Sequence, residues 1–133
     1  MVERSVDWLN QAYRDIKQAE ASFRDGFYEW ACFASQQAAE KAVKGLIQGF
    51  GGEAWGHSVA ALIDALPERV RSPRLRDKAL ELDQAYITSR YPNAHPAEYP
   101  GRVFTAKMAK RLINYSKEIV RYCKKALKES KRG

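Results

Sequence analysis

Apolar residues recur every three or four positions along nearly the whole sequence, and polar and apolar residues do not alternate over the length of a strand. This spacing matches the turn of an α-helix, in which residues three and four apart share one face. Glycine and proline interrupt the pattern at a few points, and both residues commonly mark helix ends. The sequence therefore predicts an all-α fold, an up-and-down antiparallel helical bundle formed by residues 1–133 as a single domain.

The interruptions divide the chain into four long helices and one short helix. The long helices are predicted at about residues 4–24, 27–49, 72–90 and 104–129, and the short helix at about 57–66. Gly26 and Gly51 follow the first two helices, where glycine ends a helix readily. Ser58 and Ser72 each stand where a hydroxyl can cap a helix N-terminus. We expect every long helix to present one apolar face to a shared core. In the first helix this apolar face is predicted to begin at Val6.

Small residues and prolines carry further information about packing. A stripe of alanines that ends at Gly45 runs along the second helix and permits close approach of another helix, which places this helix at the centre of the bundle.

Pro92, Pro96 and Pro100 recur after the fourth helix. Because a residue that precedes proline is driven out of helical geometry, we expect a stiff, non-helical loop here.

Positive charge is concentrated at the C-terminal end of the chain. The net charge is +7, and residues 101–133 contain eleven basic residues against two acidic ones. A basic segment of this kind favours an anionic partner such as RNA or an acidic protein. On the last helix Lys117, Arg121 and Lys124 lie in one stripe, and we predict that they contact the phosphates of RNA or of a nucleotide. The alternative is an ordinary solvated helix face.

Cysteine, histidine and apolar content exclude several classes of protein. No apolar run is long enough for a membrane span and the N-terminus lacks a signal-peptide core, so we expect a cytoplasmic protein without membrane contact. Cys32 and Cys123 are about 90 residues apart and form no short ligand pair with His57 or His95. We therefore predict two buried free thiols, no metal site and no cofactor.

The segment from Arg90 to His95 holds the residues best suited to chemistry on phosphate. Arginine is a permanent, forked donor for phosphoryl oxygens, and histidine exchanges a proton near neutral pH. Arg90 is predicted to bind a scissile phosphate, with His95 as general acid or base on a ribose hydroxyl. The alternative makes Arg90 a cation bonded to the last carbonyls of its helix and His95 an anchor for the loop.

Four further residues surround this pair in the sequence. Asp83 and Tyr86 precede Arg90 by seven and four residues and share its helix face, so Asp83 is predicted to orient the guanidinium. Tyr91 and Asn93 lie in the turn between the two and complete the supporting set. His57 is expected to pack at the entry of the short helix.

Three segments together resemble the HEPN domain, a small helical module named for its occurrence in higher eukaryotes and prokaryotes and for nucleotide binding. They are Ala34–Leu46 (Ala-Ser-Gln-Gln-Ala-Ala-Glu-Lys-Ala-Val-Lys-Gly-Leu), Gly56-His57-Ser58 and Arg90-Tyr91-Pro92. The resemblance implies a helical bundle that is usually dimeric. Many members are metal-independent endoribonucleases whose motif is an arginine followed, after four to six residues, by a histidine, which Arg90 and His95 match.

The resemblance implies a specific function and leaves two others open. The leading interpretation is a homodimeric ribonuclease that acts on RNA, the toxin of a pair whose antitoxin is a small nucleotidyltransferase. In such toxins a modified tyrosine lies two residues after the histidine, where this chain has Ala97 and then Tyr99. The first alternative is a non-catalytic HEPN subunit that binds a nucleotide or a nucleotidyltransferase. The second is a helical adaptor whose basic last helix docks an acidic partner.

Overall fold

The computed structural model describes residues 3–132 and confirms the all-α bundle. Over these residues the chain forms six α-helices and no β-strand. They are α1 (Ser5–Arg24), α2 (Tyr28–Gly49), α3 (Val59–Asp64), α4 (Pro73–Thr88), α5 (Pro100–Val103) and α6 (Ala106–Arg132). Single 3-10 turns lie at Glu68–Val70 and Pro92–Ala94. None of these helices combines the length and hydrophobicity that crossing a membrane requires.

The helix starts predicted from serine are confirmed. The Ser58 hydroxyl accepts a hydrogen bond from the Ala61 N–H, and the Ser72 hydroxyl accepts one from the Leu75 N–H. Each bond satisfies one of the N–H groups that a helix leaves unpaired in its first turn. The serines therefore fix where α3 and α4 begin.

The proline-rich segment is more helical than the sequence predicts. A 3-10 turn begins at Pro92, and the short helix α5 begins at Pro100 within the expected loop. Proline suits the first turn of a helix, because the N–H that it lacks has no partner there in any case. The expected non-helical loop is thus wrong over these two turns, and α6 begins at Ala106.

Helices α2 and α6 form the centre of the bundle, as the small-residue stripe of α2 predicts. Both pack against α1 on one side and against α4 on the other. A Cβ atom at Gly45 would lie only 3.0 Å from the Ser5 carbonyl oxygen and 3.0 Å from the Trp8 Cβ, so glycine is what lets α1 approach. The apolar face of α1 differs from the prediction at one position, since Val6 is exposed and Ser5 is buried instead.

Neighbouring residues of α6 face opposite sides of the bundle. Lys117 Nζ lies 2.7 Å from Glu20 Oε2 on α1. Glu118 Oε2 lies 2.6 Å from Lys78 Nζ and 2.5 Å from Arg74 Nη1, both on α4. The Glu118 side of α6 thus faces α4, the helix that ends just before Arg90, whereas the Lys117 side faces α1.

Candidate functional site

The C-terminal end of α4 fixes both members of the Arg90 and His95 pair. Arg90 Nε and Nη2 donate to the Tyr86 carbonyl oxygen at 2.9 and 2.7 Å. His95 Nε2 donates to the Thr88 carbonyl oxygen at 2.6 Å. Because both acceptors belong to the last turn of α4, one rigid element positions the guanidinium and the imidazole.

Aromatic rings surround the Arg90 guanidinium. Its central carbon lies 4.4 Å from the ring centre of Phe33, 4.8 Å from that of Tyr86 and 5.1 Å from that of Tyr91. A guanidinium stacked on such rings is held by cation–π attraction of about 0.5–1 kcal/mol per exposed contact. Arginine has five N–H donors, and only two serve the Tyr86 carbonyl. Over residues 3–132 the remaining donors have no hydrogen-bond partner and can bind an anion.

His95 keeps one ring nitrogen for chemistry. A carbonyl oxygen only accepts hydrogen bonds, so Nε2 carries the proton that it shares with Thr88. The neutral ring then has its lone pair on Nδ1, which is the form that a general base requires. The ring also meets Phe104 edge-on, with centroids 6.3 Å apart. In the described part of the chain no hydrogen bond or ion pair joins His95 to Arg90 directly.

Asp83 does not orient Arg90, so this prediction is wrong. Its carboxylate accepts hydrogen bonds from the N–H groups of Val59 and Ala60 at 2.8 and 3.0 Å and from the Ser58 hydroxyl at 2.9 Å. These donors form the N-terminus of α3, whose unpaired N–H groups and positive dipole end attract a carboxylate. Asp83 also lies two helical turns from Arg90. It therefore joins α3 to α4 instead.

The other supporting residues differ in their relation to the pair. Tyr86 supplies both a carbonyl and a ring to Arg90, and the exposed Tyr91 supplies a ring. Asn93 is exposed in the 3-10 turn, and no hydrogen bond joins its side chain to Arg90 or His95 within the described structure. Tyr86 is thus the principal partner of Arg90.

A second histidine lies beside Tyr86, although the sequence predicts only a packing role for it. The rings of His57 and Tyr86 stack with centroids 5.0 Å apart and an interplanar angle of 15°. His57 Nδ1 lies 3.2 Å from Glu40 Oε1, and the His57 side chain is 58% exposed. No local spacing indicates this site, because α2, the α3 entry and α4 meet there only in the folded chain.

The basic stripe of α6 lies away from Arg90. Lys117 pairs with Glu20, and Lys124 Nζ lies 5.7 Å from the Tyr13 ring centre, so both face α1. Arg121 is exposed between them. Helices α2 and α6 separate this surface from α4. The fold therefore does not bring the stripe and the Arg90 pair into one pocket.

An aromatic groove adjoins Arg90 on another side. It lies between α1 and α2, has a volume of about 550 Å³ and is lined by Phe27, Trp30 and Phe33 among others. Phe33 belongs both to this groove and to the aromatic surroundings of Arg90. Phe27 and Trp30 are 55% and 48% exposed, and Tyr91 is 47% exposed. We call Phe27, Trp30, Phe33 and Tyr91 the aromatic surface.

The two cysteines are buried and free, as predicted. Burial raises the pKa of the Cys32 thiol to about 12, and the nearby Glu29 carboxylate adds to the shift. Burial alone raises the pKa of the Cys123 thiol to about 12. Between residues 3 and 132 no group of three or more His, Cys, Asp or Glu residues is arranged to hold a metal ion.

The sequence and the fold both match known proteins. Residues 5–126 match the family model of the HEPN domain. The crystal structure of TT1696 from Thermus thermophilus is 42% identical, with a TM-score of 0.91 over 94% of this chain and 99% of that one. The archaeal HEPN homologue ST0689 is 38% identical, with a TM-score of 0.80 over 95% of this chain and 99% of its own.

A third solved structure agrees with these two. The HEPN domain protein of Thermotoga maritima is 41% identical, with a TM-score of 0.75 over 92% of this chain and 98% of that one. No curated protein matches the sequence. The matches to solved structures extend over almost the full length of each relative.

Proposed function

Because the chain belongs to the HEPN domain family, we propose that it is a metal-independent endoribonuclease in which Arg90 and His95 act on one phosphodiester group. One observation carries the proposal. Both side chains are hydrogen-bonded to carbonyls of the last turn of α4, at Tyr86 and Thr88, and each retains a functional group that no protein atom uses in the described structure. Such fixed geometry lowers the entropic cost of assembling a reactive complex.

The chemistry follows from the free groups. Arg90 binds the non-bridging phosphate oxygens and stabilises the charge that builds on them. His95 Nδ1 removes the proton from the ribose 2′-hydroxyl, and the 2′-oxygen then forms a bond to phosphorus. The bond from phosphorus to the 5′-oxygen breaks, and that oxygen takes up a proton. The products are a 2′,3′-cyclic phosphate end and a 5′-hydroxyl end.

We also propose that the active form is a homodimer. One copy offers a single Arg90 and a single His95 to a large polyanion, and a two-fold interface doubles both. The aromatic surface supports this arrangement, because Phe27, Trp30 and Tyr91 leave much of their apolar area in solvent beside Arg90. Contiguous exposed aromatic area is characteristic of protein interfaces.

The biological setting that we propose is a toxin and antitoxin pair, with this chain as the toxin and a small nucleotidyltransferase as its antitoxin. The family resemblance supports this partner. The basic residues Lys117, Arg121 and Lys124 add a second, sequence-independent contact to RNA on the α1 side of α6. RNA that contacts both the Arg90 site and this basic surface of α6 has to pass around the bundle.

One observation favours a different function, a non-catalytic HEPN subunit that binds a nucleotide or a nucleotidyltransferase. Two Arg90 donors and the His95 Nε2 already satisfy carbonyls at the end of α4. This is the role of a helix C-terminal cation and a loop anchor, and it needs no substrate. The same contacts thus agree with a binding protein that lacks turnover.

An RNA cleavage assay separates the two functions. Purified protein is incubated with a structured RNA in EDTA, and the ends are tested for cyclic phosphate. We expect cleavage by the wild type and by Arg14→Lys, a control on α1, and loss of cleavage in His95→Ala. Cleavage that requires added divalent metal contradicts the mechanism. Inactivity under every condition, with nucleotide binding retained, supports the non-catalytic subunit.

A further inference from the structure

Glu40 holds an exposed histidine from inside the core. The Glu40 side chain is 5% exposed, and its Oε1 lies 3.2 Å from Nδ1 of His57, whose side chain is 58% exposed. A carboxylate only accepts, so Nδ1 donates to it, and the other ring nitrogen, Nε2, has no partner within the described structure. A buried carboxylate that orients an imidazole in this way fixes both its tautomer and its direction.

Two glutamines of α2 add to this support. Gln36 is fully buried and donates to the His57 carbonyl oxygen at 2.7 Å. Gln37 donates to Glu40 Oε1 at 3.3 Å, and Lys44 Nζ lies 3.1 Å from Glu40 Oε2 and balances its charge. Burying polar groups costs free energy unless their hydrogen bonds are made. Four polar side chains of α2 therefore contribute to holding one solvent-exposed histidine, namely Gln36, Gln37, Glu40 and Lys44.

The imidazole is held next to the phosphate-binding group. His57 stacks on the Tyr86 ring at 5.0 Å, and the Arg90 guanidinium lies 4.8 Å from the centre of the same ring. Tyr86 thus has contacts with both side chains. The same ring therefore connects His57 to the side chain that we propose to bind phosphate.

We propose that His57 is a second proton-transfer residue of this site, the general acid for the leaving 5′-oxygen, and that Glu40 positions it. The inference rests on the ribonuclease function proposed above. Transesterification needs two proton transfers at opposite sides of phosphorus, one from the 2′-hydroxyl and one to the 5′-oxygen. His95 takes the first proton as the 2′-oxygen bonds to phosphorus. In its doubly protonated form His57 donates Nδ1–H to Glu40 and gives its Nε2 proton to the 5′-oxygen as the bond to phosphorus breaks, which leaves the neutral Nδ1–H tautomer that Glu40 orients. Both rings then exchange protons with water, His95 losing one and His57 regaining one.

A change of leaving group tests this role. The substrate is an oligonucleotide with one ribonucleotide whose 5′-bridging oxygen is replaced by sulfur, because a thiolate leaves without protonation. We expect His57→Ala to lose about 10²–10⁴-fold of its rate on the oxygen linkage, the usual range for general acid catalysis. The same variant is expected to keep most of its rate on the sulfur linkage. His95→Ala is expected to lose activity on both linkages.

Two further variants separate chemistry from structure. Glu40→Gln is expected to show a smaller loss that is also confined to the oxygen linkage, because the ring remains but is less well oriented. Trp55 lies on the same exposed loop as His57. Trp55→Ala therefore controls for general disturbance of this loop and is expected to match the wild type in rate on both linkages. Equal loss by His57→Ala on both linkages, or no loss on either, overturns the role of His57.

Failure of the ribonuclease function is distinguishable from failure of this inference. Wild-type protein that cleaves neither linkage overturns the ribonuclease and the proton transfer together. The shared site is then tested by NMR of the His57 ring nitrogens during titration with inorganic phosphate. We expect their signals to move in the wild type and to stay in place in Arg90→Ala. Signals that do not move in the wild type overturn the placement of His57 beside a phosphate site.

Discussion

Arg90 binds the carbonyl of the same residue whose ring it covers. Its Nε and Nη2 both donate to the Tyr86 carbonyl oxygen, and its central carbon lies 4.8 Å from the centre of the Tyr86 ring. An arginine on a helix surface normally samples many rotamers, and immobilising one costs about 0.5–1.5 kcal/mol on binding. In the function that we propose, the contacts with Tyr86 meet part of this entropic cost before RNA binds.

Arg90→Lys is expected to lower the rate of RNA cleavage by about 10²-fold or more while the protein stays folded. Lysine keeps the positive charge, but it lacks the planar fork that binds Tyr86 and phosphate together. Loss of one donor to a developing oxyanion typically costs about 10²–10³-fold in kcat. Single-turnover rates and far-ultraviolet circular dichroism check this expectation. A variant with wild-type rates would show that Arg90 is not the phosphate ligand.

If the proposed homodimer buries the aromatic surface, Trp30→Asp is expected to convert it to a monomer. Trp30 belongs to the aromatic surface and is 48% exposed in a single chain. Removing a central aromatic residue from an interface often costs about 2 kcal/mol or more, which is roughly a 30-fold weaker affinity. Sedimentation velocity at several concentrations measures the change. Trp55→Asp is the matched control, because Trp55 is 81% exposed but is not among the residues that line the groove with Trp30, so the substitution is expected to leave the proposed dimer intact.

A monomeric wild type at high micromolar concentration would contradict the dimer directly. So would a Trp30→Asp variant that sediments as the wild type does. If the dimer forms and buries the aromatic surface, cleavage by Trp30→Asp should fall together with dimerisation.

Local signals were sufficient for most of the fold. The spacing of apolar residues predicts the long helices, and Ser58 and Ser72 mark the starts of α3 and α4 because a capping hydroxyl acts within three residues of its partner. The stripe that ends at Gly45 predicts the central position of α2 for a similar reason, since close packing depends on side-chain size alone. Helix α5 escapes prediction because Pro100 both interrupts the loop and begins a helix.

The site was less predictable, because its contacts join residues distant in sequence. Asp83 shares a helix face with Arg90, but the N-terminus of α3 attracts its carboxylate more strongly than a guanidinium two turns away. Glu40 and Lys44 are four residues apart on α2 and form an ion pair at 3.1 Å, a contact that local spacing is able to indicate. The contact between Glu40 and His57 instead requires α2 and the α3 entry to meet. The spacing of residues along the sequence does not indicate which helices pack against each other.

Both thiols are expected to resist alkylation in the folded protein at pH 8. Burial raises the pKa of Cys32 and of Cys123 to about 12, so almost no thiolate is present at that pH. Iodoacetamide labelling followed by mass spectrometry should find both residues unmodified in buffer and both modified in denaturant. Rapid labelling of native protein would show that either residue reaches solvent.

The raised thiol pKa values also predict a loss of stability in alkali. Between the ordinary thiol value of 9.0 and about 12 the folded chain retains protons that the unfolded chain releases. The free energy of unfolding therefore falls as pH rises through this range, and the contribution is fully present below it. Urea denaturation at pH 7 and pH 10.5 measures the slope. A variant with both cysteines replaced by alanine is expected to lose less stability over the same interval.

Replacing Lys117, Arg121 and Lys124 by glutamine is expected to weaken RNA binding to a similar degree for unrelated sequences. These residues form phosphate contacts in our proposal, and such contacts are insensitive to the bases. For single-stranded RNA each lost contact should reduce the slope of log affinity against log salt by about 0.7. Lys117 should contribute least of the three, because its ammonium group already lies 2.7 Å from a Glu20 carboxylate oxygen. Filter binding of two unrelated RNAs over a series of salt concentrations gives both quantities. Unchanged affinity and slope in the triple variant would leave these residues as a solvated helix face, whose positive charge serves the C-terminal dipole of α6.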